Sequence, residues 1–213
     1  MKCFGNKNTF AIEYRIKEPP DGIKPSWDDW GCIYFWVNGK NLFAFKNNKP
    51  ADTYHWYLYF LVQWFCENLH FIMDENDFPA NIRGENSLQI NENFDAVLNQ
   101  YDDESDEWLD MANIIFEWNS RHWILNAYGG SFLPNLYMRA TRDKVEIQWE
   151  NHDLWTQEQV ELLYERGLEY VDRSDFFCSV SDFCKELLTF FETKKDLKKL
   201  RVSLEKAIKK YNL

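Results

Sequence analysis

Phe10, Ile12, Tyr14 and Ile16 fall on one side of an extended chain, and this alternation predicts a strand from Thr9 to Ile16. Beyond Pro19, Pro20 and Pro25, the run Cys32-Ile33-Tyr34-Phe35-Trp36-Val37 precedes Asn38-Gly39 and then Leu42-Phe43-Ala44-Phe45. Asn-Gly supplies the two positive-φ positions of a type I′ turn, so these runs predict a hairpin. Both alternating sets of its first strand are apolar, which implies a sheet covered, at least in part, on each side. Asp52 or Thr53 then caps a predicted helix to about Leu69. Trp56, Tyr57, Leu58, Phe60, Leu61, Trp64 and Phe65 make it apolar nearly all round, as in a core helix lying against a sheet.

Residues 74–103 break this pattern. They are acidic and rich in Asn, are interrupted by Pro79 and Gly84, and are tied down only by short clusters, Leu88 with Ile90 and Phe94 with Val97 and Leu98. Helical spacing returns after Ser105, with Trp108, Met111, Ala112, Ile115 and Phe116 as the apolar positions. Asp106, Glu107 and Asp110 occupy the first turns, where the helix dipole favours negative charge, and the helix is expected to run through Trp118 and Trp123 to a stop at Gly129-Gly130. Leu136 to Ala140 and Val145 to Trp149 flank Thr141-Arg142-Asp143-Lys144 as a second hairpin, with Val145, Ile147 and Trp149 alternating with Glu146 and Gln148. Over 156–172, Thr156 and Gln159 suit a capping box, while Val160-Glu161-Leu162 and Leu168-Glu169-Tyr170 also fit short strands around Gly167; helix then strand is the expected order. Ser179 or Ser181 caps a helix with Phe183, Leu187, Leu188 and Phe191 inward, and a last helix covers about 195–210.

With no internal repeat and no linker rich in Pro, Gly or Ser, the expected fold is α+β. A mixed or antiparallel sheet is built from hairpins and packed by an aromatic-rich helix and C-terminal helices. One domain spans 1–213, with an acidic insertion at about 74–104.

Charge changes this picture. Between Asp74 and Asp110 stand twelve carboxylates and one cation, Arg83, a local charge of −11 that equals the formal charge of all 213 residues. Such a concentration repels itself and favours solvation or a cationic partner over packing. The pI near 4.9 argues against nucleic acid or an anionic membrane as partner. The last helix is the counterweight, with eight cations from Lys194 to Lys210 against Asp196 and Glu205. The 38 aromatics, ten of them Trp, imply a dense core and some rings left for a contact surface. Five irregularly spaced cysteines fit reduced thiols, and Met1-Lys2-Cys3-Phe4-Gly5-Asn6 lacks a signal-peptide core, so a cytoplasmic location without membrane attachment is expected.

Motifs for chemistry are few. The histidines, His55, His70, His122 and His152, form neither His-x-x-x-His nor a zinc-hydrolase pattern, and Cys178 and Cys184 lack a second pair. No phosphate loop or nucleophile elbow surrounds any Gly or Ser, and Asp102-Asp103 lack the spacing of a calcium loop. No catalytic residue, metal or cofactor is therefore assigned. The one cluster with potential for catalysis is Trp118-Asn119-Ser120-Arg121-His122-Trp123. There Arg121 and His122 would orient an anion or act as acid and base, or else Arg121 pairs with a buried carboxylate while His122 hydrogen-bonds inside an aromatic core.

Trp118-x-x-Arg121-His122, Gly129-Gly130, Leu133-Pro134-Asn135-Leu136, Arg139 and Val145-Glu146-Ile147-x-Trp149 resemble a pattern in bacterial proteins, some of which carry a zinc-peptidase domain downstream; residues 118–149 carry the likeness. The likeness does not extend to such a domain, so it implies no protease activity for these residues. In its acidity, aromatic richness and lack of catalytic motifs, the whole chain resembles the immunity proteins of bacterial toxin systems, including contact-dependent growth inhibition. That likeness implies an inhibitor of a cognate antibacterial toxin with a basic active-site cleft, such as a nuclease. Asp102, Asp103, Glu104, Asp106 and Glu107 would provide steering and contact, and Tyr101 and Trp108 the aromatic anchors. The alternatives are a small enzyme using Arg121 and His122, and a regulatory or anti-phage binding module.

Overall fold

The computed structural model describes residues 1–17, 30–46, 56–78, 82–103, 105–127, 132–191 and 197–211. Strand β1 (Lys2–Gly5) pairs antiparallel with β2 (Phe10–Ile16), and β2 with β3 (Trp30–Val37). Short strands β4 (Lys40–Asn41) and β5 (Trp56–Tyr57) pair with opposite ends of β3. The turn after β3 is as expected: Asn38 has φ 48° and Gly39 φ 81°, both in the left-handed region that a type I′ hairpin requires. The returning strand is shorter than the sequence suggests. It leaves β3 after Asn41, and Phe45 forms an isolated bridge with Leu162 instead.

Helix α1 (Leu58–Asp74) lies at the centre and touches β3, α3 (Asp106–His122), α4 (Arg173–Phe190) and α5 (Leu197–Lys210). This explains its lack of a polar face: Leu58, Leu61, Val62, Trp64, Phe65, Cys66, Leu69, Ile72 and Met73 are all buried. The helix begins later than expected, because Trp56 and Tyr57 are extended against β3, and it runs on to Asp74. The expected caps Asp52 and Thr53 lie outside the described residues, as do Gly129 and Gly130, but α3 ends before them, at His122, with Trp123 extended and a separate 3-10 turn at Ile124–Ala127.

The second sheet is the antiparallel meander β6 (Leu136–Ala140), β7 (Lys144–Glu150) and β8 (Arg166–Asp172). The fold is α+β, and both sheets are antiparallel. Ile147, Val145, Met138 and Trp149 on one face of the second sheet join the core that also contains Phe10, Ile12, Phe35, Phe65, Phe176 and Phe183. Gly167 sits opposite Trp149, and a Cβ there would meet the indole at 2.1 Å, so the ring lies where only glycine leaves room. The polar face of the sheet is covered too. Helix α2 (Ser87–Leu98), formed by part of the acidic stretch, lies over it and joins Phe94 and Ile90 to Phe78, Trp118 and Tyr137 in a second, smaller cluster.

Two further boundaries differ from expectation. Thr156–Glu158 is a single 3-10 turn, with β8 following as predicted. Helix α4 starts at Arg173, so Ser179 and Ser181 lie inside it, and Ser179 donates to the Asp175 carbonyl at 2.7 Å rather than capping. The cysteines at 3, 32, 66, 178 and 184 are all free thiols. Among the described residues, no helix is long and apolar enough to cross a membrane.

Candidate functional site

The sequence-assigned contact residues sit where α2 hands over to α3. Turn hydrogen bonds from Gln100 N to Val97 O and from Tyr101 N to Leu98 O close α2, and Ser105 N donates to Asp102 O at 2.9 Å. Ser105 then caps α3, its Oγ accepting from Trp108 N at 3.1 Å. Asp102, Asp103, Asp106 and Glu107 are all exposed, and Tyr101 is 40% exposed beside them. Trp108 is half-buried, and Glu104 lies outside the described residues. These residues form one acidic apex on a helix start, where Asp106 and Glu107 also complement the helix dipole. From Arg83 to Arg121 the chain contains no intervening Lys or Arg.

Helix α3 turns out differently from its apolar pattern in one respect. Met111, Ile114 and Ile115 pack against the smaller cluster, but Phe116, expected inward, is 70% exposed, and Leu109 is 53% exposed. At 100° per residue Phe116 points away from Trp118 and Ile115, the side that α2 and β6 occupy. The apolar spacing was legible, but the side chosen by packing was not.

Arg121 and His122 lie at the other end of α3, Arg121 part-exposed beside Glu75 and His122 in the interior. His122 is fully buried (0% exposed), stacked on Trp118 with ring centroids 4.5 Å apart. Its Nδ1 lies 2.9 Å from the Trp118 carbonyl, an acceptor, so Nδ1 carries the proton and donates. Nε2 then turns its lone pair toward Glu75 Oε2, 3.7 Å away. Arg121 Nε lies 3.3 Å from the same oxygen, and its guanidinium sits over the Phe71 ring at 4.7 Å. Burial pulls the His122 pKa down to about 4, keeping it neutral, and burial also holds the Glu75 carboxyl above its ordinary range despite Arg121. Of the two sequence readings of this cluster, the second holds for His122, which hydrogen-bonds within an aromatic core, while the carboxylate that Arg121 meets, Glu75, is part-exposed rather than buried.

A second network, this one interior, is built on Arg139 and Glu146 of the second hairpin. Glu146 is fully buried and accepts from Ser87 N at 2.9 Å and Ser87 Oγ at 2.7 Å. Arg139 reaches it through Nε and a terminal nitrogen, both at 3.3 Å, and donates to Asn76 O at 3.2 Å. Gln148 accepts from Leu88 N at 2.8 Å. A carboxylate and an amide of β7 thus satisfy first-turn N–H groups of α2, an anion at a helix N-terminus. Trp123 stacks on Tyr137 with an interplanar angle of 1° and donates from Nε1 to Asn135 Oδ1 at 2.5 Å. Arg139, Glu146, Gln148 and the Trp118 and Trp123 rings thus dock α2, α3 and the second hairpin together.

Sequence reasoning missed α2, and with it the roles of Ser87, Glu146 and Arg139. The signals were Asn86 and Gln89 at cap spacing, realised as Gln89 N donating to Asn86 Oδ1 at 3.0 Å, and Ile90, Phe94, Val97 and Leu98 on one helical stripe. Among the described residues, no group of three or more His, Cys, Asp or Glu side chains is placed to hold a metal ion. Set against protein-family models, curated proteins and solved structures, the chain matches none.

Proposed function

We propose that this protein is an immunity-type inhibitor that binds and neutralises a cationic antibacterial toxin, of which a nuclease is the best-fitting class. The observation that carries the reading is the acidic apex, where Asp102, Asp103, Asp106 and Glu107 are exposed beside Tyr101 at the Ser105-capped start of α3. A nuclease must be positive where it grips phosphate, so an ordered array of carboxylates competes for the same cleft. Long-range attraction raises the association rate, and an aromatic at the contact supplies the slow dissociation. The Arg121–His122 cluster favours no enzymatic alternative, since the imidazole is sealed beneath Trp118 and Glu75.

The test is co-expression with the product of the reading frame immediately upstream. The expected result is protection of the host from growth arrest by the wild-type chain, and loss of protection in the Asp102→Lys/Asp103→Lys variant. In stopped-flow, that variant should associate more slowly, with a flatter dependence on salt. An upstream product that is harmless, or protection that survives both charge reversals, refutes the proposal.

A further inference from the structure

The apex is continuous with a second feature of α3. Leu109, Asn113 and Phe116 recur at four- and three-residue spacing, so they align along one outward stripe of the helix. Asp106, Asp110 and Glu117 form the neighbouring stripe, also exposed, along one side of the first. The inward residues Met111, Ile114, Ile115 and Trp118 are already committed to the cluster beneath. Leu109 and Phe116 are thus two large apolar side chains in water that contribute little to the fold.

We infer that this outward face of α3 is a docking surface for a protein partner that presents an apolar groove rimmed by lysine or arginine. The inference rests on the proposed function in taking the same cationic partner, and it adds the anchors, Phe116 above all. Charge selects the occupant. A second copy placed face to face would set Asp106, Asp110 and Glu117 against their own counterparts, and an anionic membrane or nucleic acid meets the same repulsion. A basic rim neutralises those carboxylates, while the groove removes Leu109 and Phe116 from water, as when an amphipathic helix enters a partner's cleft. Binding energy concentrates in such apolar anchors, whereas exposed charges govern rate and register.

The experiment uses the full chain and two fluorescent probes of equal charge, an amphipathic leucine–lysine helical peptide and a shorter oligolysine. Binding is followed by anisotropy. The leucine–lysine peptide should bind more tightly, and Phe116→Ser should weaken it about tenfold while leaving oligolysine unchanged. Leu109→Ser should act in the same direction, and Asp102→Lys/Asp103→Lys should weaken both probes. Both apolar positions are exposed, so these variants should melt with the wild type. Should Phe116→Ser misfold, Asn113→Arg tests the same face by placing a bulky cation in its middle. If the serine variants leave the leucine–lysine peptide unaffected while the charge reversals weaken it, the docking face is overturned and the apex reading stands. If Phe116→Ser alone weakens binding, the face stands and the apex reading falls. Failure of both probes to bind overturns both. Concentration-dependent self-association abolished by Phe116→Ser overturns the choice of occupant, including one in which the basic helix α5 of a second copy sits on α3.

Discussion

Replacing Glu146 with Leu should detach α2 from the second sheet. The carboxylate is fully buried, and its partners include Ser87 N, Ser87 Oγ and the Arg139 guanidinium. Removing it strands Arg139 as a buried charge, a defect that costs about 3–5 kcal/mol. The α2 N-terminus loses an acceptor as well, which adds about 1 kcal/mol. In a chain of this size, a total of about 5 kcal/mol lowers Tm by roughly 10–20 °C. Urea denaturation measures the loss, and amide exchange localises it, with protection falling first at Ile90 and Phe94, the residues α2 sends into the smaller cluster. The double variant Glu146→Leu/Arg139→Met separates charge from packing. Without the stranded cation it should recover about 2 kcal/mol or more of the single variant's loss, leaving the missing acceptor at Ser87 as the main residual defect. If Glu146→Leu costs under about 1 kcal/mol, or if the double variant is as unstable as the sum of the singles, then the ion pair does not hold α2 in place.

Two further perturbations probe the interior. His122 binds its proton less well folded than unfolded, its pKa falling from an ordinary 6.5 to about 4, so the unfolded chain takes up the extra proton between those values and stability drops as pH falls through that window. The loss is on the order of 3 kcal/mol by pH 4, and Glu75, whose folded pKa is raised, opposes it by taking up a proton in the folded state just above its ordinary range. Urea midpoints for wild type and His122→Gln across this window should converge at low pH, and parallel curves would refute the assignment. Gly167→Ala places a methyl group 2.1 Å from the Trp149 ring and should cost about 1–3 kcal/mol through overpacking, with a changed Trp fluorescence on folding; an unaltered Tm would show that the indole is free to move.

Within the first sheet, β2, β3 and the turn after β3 were legible because their signals are local, whereas β1 carries no such signal and β5 reads as helix. Asn38-Gly39 fixes its own turn whatever surrounds it, and the two-sided apolar run of β3 matched a strand buried on both faces. The second hairpin was equally plain as an alternation, yet alternation normally places the polar set in water, and here Glu146 and Gln148 are buried. What covers them is α2, which is contributed by a distant segment whose apolar stripe is diluted by Asn and acidic residues. The caps of α4 misled for a related reason. Serine favours helix starts on average, but Phe176 and Phe177 extend the buried stripe one turn earlier, and Ser179 satisfies its hydroxyl on Asp175 O. At the candidate site, exposure of the apex followed from charge. Which side of α3 is inward depended on Tyr137 and Trp118, and no spacing rule contains that information.

The carboxylates at the start of α3 do not all bear equally on the functional proposal. Asp106 and Glu107 lie in the first turn, where each stabilises the helix by about 0.3–1 kcal/mol whether or not anything binds. Arg121 in the last turn complements the other end of the dipole, and this local role accounts for part of the acidity at the helix start. Asp102 and Asp103 precede the Ser105 cap, outside the helical ladder, and Asp110, Glu117 and the exposed Phe116 lie beyond the first turn. Reversing Asp106 or Glu107 would therefore confound a weaker helix with a weaker interface. The more discriminating positions are Asp102 and Asp103 for steering, since they precede the cap, and Phe116 for anchoring, since its exposed ring adds little to the packing of α3.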